Sequence, residues 1–215
     1  MTLKEEQRLT IKEANIARIT AKKYRCIDWL PIMEDPNLRS QEELIGRMSV
    51  MNALINISFD APVATVQQWI EDNQLTVYLS DWEREILGKT QADLDQYEIN
   101  TLRWYLEGLW ALMWATQMIP DLDETQWNEE SMASMLPNLE EGEDNAILNQ
   151  IKTMHTAEEL YTMLDYYFRL HWYCVDERLQ EKEAVINEGI VYERRRALEW
   201  LLDGNSNWDE IEMGT

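Results

Sequence analysis

Hydrophobic residues recur with a helical period along most of this chain, and prolines interrupt the pattern at a few positions. Residues 3–25 form a predicted amphipathic helix, whose apolar positions include Leu9 and Ile19. Residues 26–36 contain two prolines, which disfavour helical backbone in the residues before them. Residues 1–36 are therefore predicted to form one helix followed by an extended linker.

Three further helices are predicted in the first half of the chain, at residues 40–57, 62–73 and 80–88. Two of them begin with the spacing of a capping box, Ser40 with Glu43 and Ser80 with Glu83. In a capping box the serine hydroxyl and the glutamate carboxylate each accept a hydrogen bond from the other residue's backbone N–H. Pro62 suits the first turn of a helix, where a backbone N–H has no partner within the helix.

The most hydrophobic helix is predicted from about Asp95 to Met118, and Pro120 ends it. It is apolar almost all round and contains several tryptophans. A helix without a clean polar face is normally covered on several sides. Residues 37–120 are therefore predicted to form a helical core, with this Trp-rich helix at its centre.

Two helices are predicted in the C-terminal part of the chain, residues 151–215, at 156–182 and 189–202. Thr156 and Glu159 form a third capping box at the start of the first. Trp208 is expected to fold back and hold the C-terminal segment against the protein. Together the patterns predict an all-α fold, a single compact multi-helix domain in which both C-terminal helices pack on the Trp-rich helix.

The composition agrees with this fold class. Only 7 Gly and 5 Pro occur in 215 residues, which favours long helices over a strand-rich fold with many turns. The longest apolar runs are far shorter than the roughly 20 residues that a membrane span requires. Cys26 and Cys174 stand far apart and share no metal-binding spacing. With no apolar signal core near residue 1, the sequence predicts a cytoplasmic protein with two reduced thiols.

The net charge of −22 is unevenly spread, and its densest acidic stretch lies in residues 121–150, which are predicted to be a long acidic loop with one short helix near Glu130. Nine carboxylates and no basic residue lie between Asp121 and Asp144. Such a field repels nucleic acid and anionic lipid, which disfavours both as partners, and it attracts a basic protein surface. The alternative to a binding surface is that the acidic charge only keeps the protein soluble. The candidate partner-binding residues are Trp127, Glu129, Glu130, Glu140, Glu141, Glu143 and Asp144.

Common catalytic motifs are absent from the sequence. It contains no G-x-G-x-x-G, no Walker loop, no G-x-S-x-G and no H-E-x-x-H. Its two histidines, His155 and His171, lack the Glu-x-x-His spacing of helical di-iron sites. The sequence therefore predicts no cofactor and no metal, and it favours a protein without enzymatic activity. A carboxylate-only Mg²⁺ or Mn²⁺ site stays open, because 41 acidic residues make chance pairs plentiful.

Polar side chains among the aromatics of the C-terminal helices form a second candidate site. Its members are Arg169, His171, Trp172, Glu193, Arg194 and Trp200. Arginine can clamp a carboxylate with two parallel hydrogen bonds, and histidine can act as a base or bind a ligand. The structural alternative is a hydrogen-bonded histidine in the core and an internal ion-pair network between these arginines and acids such as Glu107.

Several segments of the chain resemble the bacterial domain-of-unknown-function family numbered 4272. They are LP at residues 30–31, RWYLEGLWALMWA at 103–115, YYFRLHW at 166–172, VYERRRALEWLL at 191–202 and NWDEI at 207–211. The chain departs from the family at Thr116 and Gln117, where Leu-Gly is usual, and at Arg195 and Glu199, where His and Asn are usual. The resemblance implies a largely helical, cytoplasmic bacterial protein, and it implies no activity.

Two functions of different kinds follow from these observations. The first is a protein-binding module, such as an immunity or antitoxin-like inhibitor of a basic, toxin-like partner, with Trp127 and the loop acids at the interface. The alternative is a small-ligand-binding or enzymatic pocket, in which Arg169, His171 and Glu193 surround a small anion. Nothing in the pattern indicates an oligomeric state.

Overall fold

The computed structural model describes residues 2–215, in which eight α-helices and four short 3-10 helices follow one another without a β-strand. The α-helices are α1 (Glu5–Ala21), α2 (Gln41–Ile57), α3 (Val63–Asp72), α4 (Asp81–Leu87), α5 (Gln96–Ala115), α6 (Ala146–Asn149), α7 (Ala157–Leu179) and α8 (Glu188–Leu202). The predicted all-α single domain is confirmed. Within the described residues, no helix combines the length and the apolar character that crossing a membrane requires.

The main helices pack in a continuous series. α1 lies on α7, α7 on α8, α8 on α5, α5 on α2, and α2 on α3. The Trp-rich helix α5 is therefore central, with α8 on one side and α2 on the other. The expectation that both C-terminal helices pack on α5 holds for α8, whereas α7 packs mainly on α8 and α1.

All three predicted capping boxes are present. The hydroxyl groups of Ser40, Ser80 and Thr156 each accept a hydrogen bond from the backbone N–H of the glutamate three residues later. These motifs form within four consecutive residues and need no tertiary partner, so local sequence is enough to place them. Helix α5 begins in the same way at Asp95, but it ends at Ala115, before the predicted Met118. Gln117 adopts a left-handed φ of 61°, which stops the helix.

The buried face of α1 agrees with the predicted apolar positions at Ile19 and differs from them at Leu9. Ile11, Asn15 and Ile19 are buried, whereas Leu9 is 40% exposed. Asn15 occupies the middle of this face because its amide Nδ2 donates to the Asp165 carboxylate and to the Thr162 carbonyl of α7, both at 2.9 Å. Asn15 is thus a polar member of the buried face, which hydrophobic periodicity does not distinguish from a solvated residue.

Residues 121–150 cross the surface of the bundle as an ordered segment with few regular elements. It contains a 3-10 helix at Glu130–Met135, where a short helix was predicted, and α6 at Ala146–Asn149. Four apolar side chains hold it to the core: Leu122, Met132, Leu136 and Leu148. The segment is therefore packed along much of its length, with all of its charged side chains except that of Glu124 on the outside.

The C-terminal segment returns to the core through Trp208, as predicted. The indole Nε1 of Trp208 donates to the Tyr105 hydroxyl at 3.0 Å. Its ring meets the rings of Tyr105 and Trp200 edge-on, at centroid distances of 5.8 and 5.9 Å. These contacts join residues 204–211 to both α5 and α8.

Candidate functional site

Arg169, the first member of the candidate C-terminal site, is fully buried and paired within the protein. Its Nε and Nη2 donate to the two carboxylate oxygens of Asp165, at 3.0 and 2.6 Å. Nη2 also donates to the Pro31 carbonyl at 3.2 Å, and Asn15 of α1 binds the same carboxylate. Arg169 therefore connects α7 to α1 and to the linker.

Arg194 is also fully buried, and it pairs with Glu107, the acid named in the structural alternative. Its Nε and Nη2 lie 2.9 and 2.8 Å from Oε2 of Glu107. Nη1 donates to the Asp123 carbonyl and the Tyr167 hydroxyl, and Nη2 donates to the Gln126 carbonyl. This network joins α8 to α5, to α7 and to the start of the acidic segment.

His171 is buried against α8 and binds Arg195. Nη1 of Arg195 lies 2.7 Å from Nδ1 of His171. Because a guanidinium only donates, Nδ1 must accept, and the ring proton is on Nε2. Burial, followed by the charge of Arg195, lowers the pKa of His171 to about 4. The imidazole is therefore neutral at physiological pH.

Arg195 and Glu199, the two positions at which the family resemblance fails in α8, pair with each other. Nε of Arg195 donates to Glu199 at 3.0 Å. Its Nη atoms donate to the carbonyls of Met213 and Gly214, at 3.2 and 3.0 Å. Arg195 thus holds the last residues of the chain over α8.

The remaining members of the candidate site lie apart from one another. The Glu193 side chain is mostly buried, 3.7 Å from Arg196, and burial raises the pKa of its carboxyl to about 7. Trp172 is half-buried below Arg25, and Trp200 is in the core below Arg39. The structure therefore distributes the six residues among separate internal contacts and does not gather them around one cleft.

The candidate partner-binding residues present their charges to solvent. Glu129, Glu130, Glu140, Glu141, Glu143 and Asp144 are all exposed, and none has a cation within ion-pair distance in the described part of the chain. Glu124 in the same segment is different, because it is buried and pairs with Lys22. Trp127 is 53% exposed and stacks on Trp104 with ring centroids 5.6 Å apart.

The backbone beneath these charges is held at several points. Asn128 donates from its backbone and its side chain to Glu107, at 3.0 and 2.7 Å. The indole Nε1 of Trp69 donates to the Glu143 carbonyl at 2.7 Å, and Asn145 donates to Ser49 at 2.8 Å. The exposed carboxylates therefore stand on a backbone tied to α2, α3 and α5.

A third group of polar residues was missed by the sequence reasoning. Arg47 of α2 is 2% exposed and pairs with the fully buried Glu83 of α4. The Tyr105 hydroxyl donates to the same Glu83 oxygen at 2.9 Å, and Trp208 lies against the Arg47 guanidinium. A single cation within the apolar run of α2, LIGRMSVM at residues 44–51, was the available signal.

The described residues give little support to a metal site or to a reactive thiol. Across residues 2–215, no group of three or more His, Cys, Asp or Glu side chains could hold a metal ion. Cys26 and Cys174 are free cysteines. Burial raises the pKa of the Cys174 thiol to about 12, so it stays protonated at physiological pH.

The model of the family described as "Domain of unknown function (DUF4272)" matches residues 11–211, nearly the whole chain. No curated protein and no solved structure matches it.

Proposed function

Because this chain belongs to the family described as a domain of unknown function (DUF4272), we propose its function from the surface that the fold presents. The protein is a cytoplasmic protein-binding module whose partner is basic, and it acts as an immunity or antitoxin-like inhibitor does, by covering that partner's surface. The binding face is the acidic surface, defined as Trp127, Glu129, Glu130, Glu140, Glu141, Glu143 and Asp144.

One observation carries this proposal. The carboxylates of the acidic surface are exposed, have no cationic partner among the described residues, and stand on a backbone that hydrogen bonds hold to the core. Most buried acids have cationic partners, as Glu83, Glu107, Glu124 and Asp165 do. Charges of one sign on a fixed backbone create a field that speeds encounter with an oppositely charged protein. A pre-formed surface also needs little ordering when it binds.

Trp127 gives this surface an apolar element. Its ring is 53% exposed, yet stacking on Trp104 limits its freedom before any partner arrives. Tryptophan is enriched among the residues that dominate binding energy at interfaces, and a ring already held in place loses little entropy there. Trp127 is therefore the proposed anchor, and the carboxylates provide attraction and orientation.

The test is capture of a partner from the native lysate by the tagged protein, at low and at high salt. A surface triple variant, Glu130→Gln, Glu140→Gln and Glu141→Gln, removes three charges whose side chains make no hydrogen bond within the described chain. Glu143 and Asp144 are kept, because their carboxylates accept backbone N–H groups of Asn138 and Ala146 and shape the loop. We expect a basic protein to bind the wild type, to bind the triple variant at least tenfold more weakly, and to dissociate in high salt.

A control triple variant changes the net charge equally at exposed acids elsewhere: Glu13→Gln, Glu181→Gln and Glu183→Gln. It should retain the partner with at most a small loss of affinity. Equal loss in both triple variants would mean that overall charge, and not this surface, determines binding. A partner whose affinity is unchanged by the surface triple variant and by Trp127→Ala would contradict the proposal.

A further inference from the structure

A cleft of about 280 Å³ lies beside the buried Arg47, between α2, residues 77–80 and the C-terminal turn. Its walls include the aromatic side chains of Tyr78, Trp200 and Trp208. This volume is close to the lower end of the range for small-molecule sites, about 300 Å³. The cleft is separate from the acidic surface and from the cluster around His171.

Arg47 is one of the residues that line this cleft, and its guanidinium has unused hydrogen-bonding capacity. Its Nη2 donates to Glu83, whereas its buried Nε has no hydrogen-bond partner among residues 2–215. Arg194, which is equally buried, donates from Nε and from both Nη atoms to protein oxygens. A buried donor without an acceptor is costly, so an acceptor that reaches this guanidinium from the cleft gains more than it would at the surface.

The acids near the cleft are already engaged with their own helix ends. Glu43 lines the cleft as an ionised carboxylate, because hydrogen bonds from Ser40 lower its pKa, and its charge is paired with that of Arg39, which also lines the cleft. Oε2 of Glu83 accepts from the Ser80 backbone, and Oε1 accepts from Tyr105 and Arg47. The oxygens of both acids are thus occupied, while Arg47 keeps a free donor.

We propose that this cleft binds a small organic carboxylate, with the Arg47 guanidinium bound to its oxygens and the aromatic walls against its carbon skeleton. A carboxylate matches the planar donor edge of arginine. The volume exceeds what a simple inorganic anion fills, and aromatic walls favour an organic group. The proposal is independent of the acidic surface and of its partner.

The test is titration of the full chain with three carboxylates (acetate, succinate and benzoate), with benzamide as the uncharged match to benzoate and with inorganic phosphate. Binding is followed by calorimetry and by the NMR signals of the Arg47 Nε–H and the Trp208 indole N–H. We expect saturable binding of at least one organic carboxylate, a shift of both signals, and no binding of benzamide. No saturable binding by the three carboxylates, or phosphate binding as tightly as the best of them, would overturn the proposal.

Two substitutions locate the site. Val77 is 76% exposed at the rim of the cleft, so Val77→Glu adds a repelling charge there without disturbing the core. We expect it to weaken carboxylate binding about three- to tenfold. Val185→Glu is the matched control, because Val185 is also 76% exposed but lies elsewhere, and it should have no effect. Equal effects of the two variants would overturn the assignment.

Arg47→Lys tests the donor itself. Lysine keeps a positive charge for Glu83 but lacks Nε–H and the planar guanidinium. Binding should weaken at least tenfold, and the melting temperature shows whether the fold survives the change. A folded Arg47→Lys protein with wild-type affinity would exclude Arg47 as the carboxylate-binding residue.

Discussion

At the scale of single residues, the most informative feature of this chain is that several of its arginines are buried. Arg47, Arg169, Arg194 and Arg195 are buried, and each has an acidic partner. Burying charge is tolerated only when it is paired and hydrogen-bonded. Because each of these arginines is paired with a carboxylate, the four pairs are close to neutral, and the net charge of −22 is carried by the other charged residues.

Arg194→Met should destabilise the protein by about 3–5 kcal/mol, because it leaves the buried Glu107 without its cation. The free energy of unfolding in urea measures the loss. Arg178→Met is the control, since Arg178 is 60% exposed in its pair with Glu188 and should contribute at most about 1 kcal/mol. Similar losses in the two variants would contradict the assignment of Arg194 as a buried structural residue.

His171 should make the protein less stable as the pH falls. Its pKa is about 4 in the folded state and near 6.5 when exposed, so the unfolded chain takes up the proton first. The contribution of the neutral His171 to the free energy of unfolding is complete above pH 6.5. It is lost as the pH falls towards 4, by up to about 3 kcal/mol. An NMR titration of the imidazole checks it, and a midpoint near 6.5 would refute the buried neutral state.

Glu193, in contrast to His171, should make the protein less stable as the pH rises. Burial raises the pKa of its carboxyl to about 7, so the folded state keeps the proton longer than the unfolded state. Its contribution is complete below about pH 4.5 and is lost as the pH rises through 7. Glu193→Gln should therefore stabilise the protein by about 2 kcal/mol at pH 8, and the gain should vanish near pH 4.5. Unfolding free energies at both pH values test this, and an equal effect at each would contradict it.

At the scale of elements, glycine decides how closely a segment can approach a helix. Gly46 in the middle of α2 lies under the ring of Tyr78, and a Cβ there would stand 2.4 Å from a ring atom. The same ring forms one wall of the cleft beside Arg47. Glycine is a poor helix former, but the close contact with Tyr78 requires a residue without a side chain at position 46.

Gly46→Ala should lower the free energy of unfolding by about 1–2 kcal/mol, although alanine is the better helix former. The aromatic ring would have to move away from α2. Gly88→Ala is the control, because the nearest atom to its Cβ is 3.4 Å away and its φ is −78°. Thermal unfolding of the two variants measures the difference, and a stabilised Gly46→Ala protein would show that the ring moves freely.

At the scale of the whole molecule, a net charge of −22 opposes compaction through self-repulsion. Salt screens exposed charges, with a Debye length of about 10 Å at 0.1 M. Raising NaCl from about 0.01 to about 0.3 M should therefore increase the melting temperature by roughly 2–4 °C, for about 1 kcal/mol of relieved repulsion.

The surface triple variant used for partner capture should show a smaller salt effect than the control triple variant. Its three charges lie within the densest acidic segment, where repulsion between neighbours is strongest. Melting curves of both variants at the two salt concentrations provide the comparison. An equal reduction in the two variants would show that the charges of this segment do not interact more strongly than charges elsewhere.

The sequence by itself determined the seven longer α-helices, though not the four-residue α6, because the signals of the longer helices are local. Capping boxes at Ser40, Ser80 and Thr156 span four residues each, and the apolar surface of α5 is visible in one window of the chain. These features fixed the fold class and the central position of α5. The acidic segment was also identified from the sequence, because the number of charged residues in a segment can be counted without knowing the fold.

Only the tertiary structure decided which polar residues have partners. Glu107 and Arg194 are 87 positions apart, and Arg47 meets Trp208 across most of the chain. A helical pattern shows which residues share a face, but it does not show what lies opposite that face. Arg169, His171 and Arg194 were therefore grouped by their nearness in sequence, while the packing gave each its own internal partner. For the same reason the cleft beside Arg47, formed by three distant segments, became visible only in the folded molecule.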